Sequence, residues 1–568
     1  MNPPEHFRQY APAPLPPRPI QIPSTHETSL SNGLAIVIVE DNRLPLVSYR
    51  LAFRTGDAHD PAQLPGLTDL LTGLISEGTD SLTSRQIADE VGRMGATLSA
   101  GANSDYTTIA GSSLSAFSDS ILHLVADVTR NPSFPSNEVE LIKQNTKESL
   151  RQQRAQPSFL ATEMVSRVVF GEHPYSVVAP TLESLEAITR ERIVEFHRSM
   201  FLPNNAVLVA AGDVEPDAFL KRIESLFGDW QPGKAPEHDF PELPARSTRS
   251  AFLVDRPGSA QSNIVIANVG IKRTSPDYFP MLLMHTVLGA NASSRLFMNL
   301  REEKGYTYGA YSSLDARRSA GTFRVSAEVR SPVTGNSLKE FFYELEKIRT
   351  EAVSDQEIAD AKSYLTGVFP LRLETQEGLI DQFVQIKMFG LPDDYLQTYR
   401  DLIQKVTVED VQEVAMKYVK PDEAAIVIVG DGMEILDQIK PFSETTELYD
   451  TAGKRKEKRD SSSIITPEAA TGNWELEIET PFGQNIPAIL KVERNEAGLG
   501  GGIESEMGDA TFESIAMHGN SIIATISFDM GGETLEAQIT AEVDGNQMEG
   551  SITLQDSPPL TFTGAKTT

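Results

Sequence analysis

Two stretches of this chain repeat one another at an offset of 218 positions, without a gap. Thr189 matches Thr407, Pro203 matches Pro421, and Gly212-Asp213 matches Gly430-Asp431. Each copy reads as a Thr N-cap, an amphipathic helix, a proline turn, a short apolar strand and then Gly-Asp. A short repeat period would build a solenoid, in which each unit leans on the next. A period this long requires two duplicated domains, each with its own core. The length agrees, since 568 residues are too many for one core.

The expected fold class is α+β: two duplicated α/β sandwich domains followed by a small all-β C-terminal domain. Residues 1–24 form a proline-rich extended arm. The first domain runs over 25–230, a proline-rich linker over 231–248 and the second domain over 249–442. Each domain opens with apolar strands, such as Leu34–Glu40 and Leu46–Phe53, and continues with helices, among them 293–303. Residues 443–469 are charged and read as a flexible linker. Over 470–568, apolar and polar residues alternate in short segments with turns at Gly531-Gly532 and Asp544-Gly545. That pattern predicts a β-meander closed as a barrel or packed as a sandwich. Gly498–Gly502 reads as a bulge or corner, because no helix and no Lys-Ser/Thr follows it as in a phosphate loop.

The net charge of −30 argues against nucleic acid or an anionic membrane as partner. With no cysteine there is no disulfide framework and no thiolate metal site. No apolar run reaches the roughly 18 residues of a membrane helix. The proline-rich start and the lack of cysteine favour an extracytoplasmic, periplasmic location, with a cytoplasmic one as the alternative.

The nine histidines never fall within five residues of each other, so neither H-x-x-E-H nor H-E-x-x-H occurs. Asp69 and Glu77, eight apart on one helix, have no neighbours that would split them into an acid and a base. The segment Arg295–Tyr311 is different. It places Arg301 seven residues before Tyr308, across a glycine-containing helix-to-strand corner. On chemistry alone, Arg301 could equally pair with Glu302 or Glu303, and Tyr308 could be a core residue.

The segment resembles the substrate-side Arg/Tyr motif of the pitrilysin, insulin-degrading enzyme and mitochondrial processing peptidase family, the inverted zinc metallopeptidases. The resemblance covers roughly 27–440 and leaves out the β-rich tail. The family's metal frame is present at Pro65–Thr79, but Asp69, Thr72 and Gly73 stand where His, Glu and His belong. The third ligand, a Glu, would fall at Glu148 or Ser149. The resemblance implies the non-catalytic subunit of a bacterial heterodimer. Such a chain has no zinc or other cofactor of its own and no activity alone. Its partner is a zinc-bearing subunit of similar fold carrying H-x-x-E-H. Arg301 and Tyr308 would complete that partner's site by holding the substrate carbonyl and the oxyanion, and the substrates would be unfolded peptides. The alternatives are a structural or assembly protein of the same fold and a homodimeric enzyme without zinc.

Overall fold

The computed structural model of this chain describes residues 22–236, 239–456, 466–479, 485–495, 498–505, 508–518, 520–530, 533–554 and 560–567. Most of the proline-rich arm, residues 457–465 of the charged run and the Gly531-Gly532 turn lie outside them. The chain divides into two compact units. One holds the residues up to Ser250 with Ile264–Glu328 and Ser337–Val427. The other holds Ala251–Asn263, Val329–Asn336 and the chain from Ile428 onward.

The first sheet is built from β1 (Thr25–Ser29), β2 (Ala35–Glu40), β3 (Leu46–Phe53), β4 (Thr97–Ala102), β5 (Thr107–Leu114) and β6 (Ala206–Gly212). Its order is β1-β2-β6-β3-β5-β4. β6 is buried along its whole length and runs parallel to β2, which explains its unbroken apolar sequence. Ile36, Ile38, Tyr49 and Leu51 share one core with Leu67, Leu70, Leu71 and Leu74 of the helix Leu67–Leu74.

The second sheet comprises β7 (Ser250–Asp255), β8 (Gln261–Val269), β9 (Thr307–Ala316), β10 (Gly321–Arg330), β11 (Ala425–Gly430), β12 (Thr445–Tyr449) and β13 (Arg455–Lys456). Its order, β13-β12-β7-β11-β8-β10-β9, repeats that of the first sheet, with β11 in the place of β6. The repeat seen in the sequence is thus a repeat of structure. The helices Arg190–Met200 and Val408–Tyr418 precede β6 and β11. The Thr189 hydroxyl accepts the Arg192 N–H at 3.4 Å, and the Thr407 hydroxyl accepts that of Asp410 at 3.1 Å. These are the two predicted N-caps.

The expectation of a flexible linker over 443–469 is corrected in part. Its described residues form β12, β13 and a helical turn, Pro467–Ala470. An open sheet edge offers unpaired N–H and C=O groups, and β12 takes the edge beside β7 that β1 takes beside β2. The Lys456 ammonium lies 3.0 Å from an Asp255 carboxylate oxygen and 3.1 Å from one of Glu542. Burial works to lower its pKa, but the two carboxylates outweigh burial and raise it.

The tail is a closed eight-stranded barrel in chain order. Its strands are β14 (Gly472–Glu479), β15 (Asn485–Asn495), β16 (Gly498–Ser505), β17 (Gly508–His518), β18 (Ser521–Met530), β19 (Glu533–Asp544), β20 (Gln547–Leu554) and β21 (Leu560–Thr567). β21 pairs back onto β14 and closes the circle. Trp474, Leu476 and Ile478 point inward, while Glu475, Glu477 and Glu479 face water. The Trp474 indole N–H donates to the Ala470 carbonyl at 3.0 Å. Gly498–Gly502 proves to be part of β16 and not a corner: Gly502 pairs with Lys491 on one side and Thr511 on the other. Among the described residues no helix is long and apolar enough to cross a membrane.

Candidate functional site

The helix Leu67–Leu74 starts where the Asp60 carboxylate accepts the N–H of Gly66 at 2.9 Å and of Thr68 at 3.0 Å. Its apolar residues face the core, which leaves Asp69 and Gly73 on the exposed side. Thr72 is buried, and its hydroxyl donates to the Asp69 carbonyl at 3.0 Å. A Cβ at Gly73 would lie 2.4 Å from Ile142 Cδ1, on the helix Ser136–Arg154. A side chain at 73 would therefore displace the tip of Ile142, on a face that is otherwise exposed. Glu148 is exposed and paired with Arg151 at 2.6 Å, and Ser149 accepts from Gln153 at 3.3 Å. Glu77 accepts the Ser84 hydroxyl at 2.6 Å.

Zinc needs three protein donors and an open position. Here the three motif positions offer one carboxylate, one hydroxyl already bonded to the backbone, and no side chain. These residues do not fit zinc. Among the described residues, no group of three or more His, Cys, Asp or Glu side chains is placed to hold a metal ion.

What surrounds Asp69 is a set of carboxylates that the sequence did not single out. Burial pushes the Asp57 carboxyl up to about 6, and the Asp69 charge adds to the shift. Burial pushes Asp60 up to about 7 and also raises Asp69. Asp69 has surface open to solvent, yet its carboxyl is ringed by enough protein to be desolvated. Nearby, buried Asp105 accepts the Tyr175 hydroxyl and, at 3.0 Å, the Arg318 N–H. His173 Nε2 sits 3.1 Å from the Ser319 hydroxyl. These bonds tie the turn after β4 to the turn between β9 and β10. The partners lie 70 and 213 positions apart, and no local pattern announces them.

Arg301 and Tyr308 sit on adjoining elements. A bidentate ion pair from Arg295 to Glu357, at 2.6 and 3.0 Å, fixes the short helix Arg295–Phe297. It holds the Glu357 carboxyl down at about 2. The helix then widens into a π-turn, Met298–Glu303. Such turns are rare and gather at functional sites. The corner closes at Gly305, whose φ of 64° is the left-handed conformation that glycine tolerates best. β9 follows at the outer edge of its sheet.

The Arg301 guanidinium carbon lies 4.7 Å from the Phe297 ring centre, and Nε lies 3.6 Å from a Glu302 oxygen. That ion pair is long and close to half exposed, so it holds the arginine weakly. Tyr308 is 91% exposed, its hydroxyl without a hydrogen-bond partner among the described residues. The reading of Tyr308 as a core residue is thereby excluded. The geometry offers a fixed cation and a phenol donor to whatever approaches this corner.

Residues 35–179 match the model of the insulinase family, peptidase family M16. Residues 187–365 match the model described as the peptidase M16 inactive domain. A Helicobacter pylori protein named non-peptidase homolog YmxG is 24% identical over 415 residues, covering 72% of this chain and 94% of the relative. A Bacillus subtilis protein named uncharacterized zinc protease YmxG is 21% identical over 403 residues, covering 71% of this chain and 97% of the relative. The crystal structure of a peptidase M16 inactive domain from Pseudomonas fluorescens superposes with a TM-score of 0.68 at 26% identity. It covers 72% of this chain and 98% of its own. Neither family model reaches the barrel. The chain belongs to peptidase family M16.

Proposed function

We propose that this chain is the non-catalytic subunit of a two-subunit zinc metalloendopeptidase. It lends Arg301 and Tyr308 to the active site of a zinc-bearing partner of similar fold. The observation that carries this reading is the contrast between the two candidate sites. The positions where the resemblance places the metal motif are short of donors, whereas Tyr308 is 91% exposed and Arg301, on the adjoining turn, is weakly held.

The chemistry suits the residues. Hydrolysis of an amide builds negative charge on the carbonyl oxygen as water adds. A guanidinium keeps its charge at any working pH and presents a planar fork of donors. A phenol adds a short O–H donor. Both act only when a carbonyl is brought to them, which is the partner's task in this scheme. The zinc, held by the partner, supplies the activated water. The substrates are unfolded peptides.

The test is to mix this chain with a zinc-bearing H-x-x-E-H subunit and follow cleavage of an unfolded fluorogenic peptide. Activity should appear in the mixture and not in this chain alone. Arg301→Ala should lower kcat by about a hundredfold, the usual cost of an oxyanion donor. Tyr308→Phe should lower it while leaving assembly unchanged. Unchanged kcat in both variants would refute the reading. A complex that assembles and cleaves nothing would favour the alternative, an assembly protein of the same fold.

A further inference from the structure

We infer that Asn299 and Glu344 are positioning residues that hold the π-turn in the shape that presents Arg301. The inference rests on the proposed role of Arg301. Asn299 lies on the inner side of the turn, 7% exposed. Its amide N–H₂ donates to Glu344 at 2.8 Å and to Glu340 at 3.2 Å, both on the helix Thr334–Thr350. Glu344 is 5% exposed. Its Oε2 and the Asn299 side-chain oxygen Oδ1 are both buried without a hydrogen-bond partner.

This arrangement works against stability. A buried carboxylate with one oxygen unsatisfied costs free energy, and apolar side chains of similar shape would remove that cost. A π-turn is also less favourable than the α-helix that the same residues could continue. Two unfavourable features therefore meet at one point, two residues before Arg301. Their joint effect is geometric. The wide turn changes the direction in which residue 301 leaves the helix, and the Asn299 amide cannot reach Glu344 if the turn relaxes. Arg295 already fixes the start of this segment on Glu357, so Asn299 supplies the second fixed point. With the chain leading into Arg301 anchored at both 295 and 299, Arg301 needs no strong partner of its own.

The test uses the full chain with Asn299→Leu and Glu344→Leu combined, which removes both polar groups and leaves the space filled. Amide hydrogen exchange over 298–306 should speed at least tenfold, with exchange in the first domain unchanged. In the mixture with the zinc-bearing subunit, kcat should fall about tenfold with KM little changed. Glu344→Gln, which keeps an acceptor for the Asn299 amide, should stay near the parent in both measurements. If the double variant fails to fold, Asn299→Ser shortens the donor and makes the same test. Unchanged exchange over 298–306 would overturn the inference. So would faster exchange with unchanged kcat, provided Arg301→Ala lowers kcat. If Arg301→Ala is itself silent, the proposed function fails, and the exchange result alone decides whether the pair holds the turn.

Discussion

Gly73 stands where the resemblance would place a histidine. In the structure, Ile142 Cδ1 lies 2.4 Å from where a Cβ at Gly73 would stand. Gly73→His is expected to cost at most about 1 kcal/mol, because position 73 is exposed and only the tip of Ile142 must give way. Because Ile142 is a flexible side chain, Ile142→Ala should recover most of that cost, and a double-mutant cycle in urea would measure the coupling. Additivity of the two changes would refute the contact. His197 carries a pH prediction. It is buried, with Nε2 2.8 Å from the Thr129 carbonyl, and burial pushes its pKa down to about 4. The unfolded chain takes up that proton near 6.5, so between about 6.5 and 4 the unfolded state binds more protons. Stability therefore rises with pH across this window. Acidifying from pH 7 to 5 should remove about 2 kcal/mol through this residue alone. Half-buried Asp57 and Asp60 act in the opposite sense, since their raised pKa values favour the folded state as pH falls. Comparing parent and His197→Gln at both pH values isolates the histidine, and the variant should show the smaller loss. The helix-to-strand corner that carries Arg301 and Tyr308 was legible in the sequence because its signals are local. Asp57, Asp60 and Asp105 were not, because what distinguishes them is burial and partners far along the chain.

At the scale of elements, the duplicated helix, proline turn and strand could be read directly, since each part has a local signal. Thr407 caps its helix with a reciprocal bond, its own N–H donating to Asp410 at 2.8 Å. Thr407→Ala should cost about 1 kcal/mol, read as a shift in the urea midpoint. No shift would mean that the cap is redundant with the packing of Val411, Val414 and Ala415. The single helix expected over 293–303 is in fact a short helix and a π-turn. Apolar periodicity cannot reveal this, because the change from i→i−4 to i→i−5 bonding adds one residue to a turn without changing which residues are apolar. The strands β12 and β13 were hidden for a related reason. They are short, β13 is only Arg-Lys beside a charged run, and what makes them strands is the edge of β7 and the carboxylates around Lys456.

For the whole molecule, the duplication and the β-rich tail were both visible in sequence. Closure of the tail into a barrel was not, because it depends on β21 meeting β14 across the length of the domain. In the second unit, Lys456 joins β13 to Asp255 of β7 and to Glu542 of the barrel. Lys456→Met should leave two carboxylates facing each other without their cation. Amide exchange in β12 should then speed several-fold; unchanged exchange would reduce Lys456 to a surface residue. The account's central claim is that this member of family M16 works through a partner's metal. The most direct measurement is hydrolysis of an unfolded peptide by this chain, by a zinc-bearing H-x-x-E-H subunit and by their mixture, with zinc measured on each. The account predicts cleavage only in the mixture, zinc only on the partner, and loss of cleavage with Arg301→Ala. Zinc bound stoichiometrically to this chain, or a mixture whose activity ignores Arg301, would contradict it.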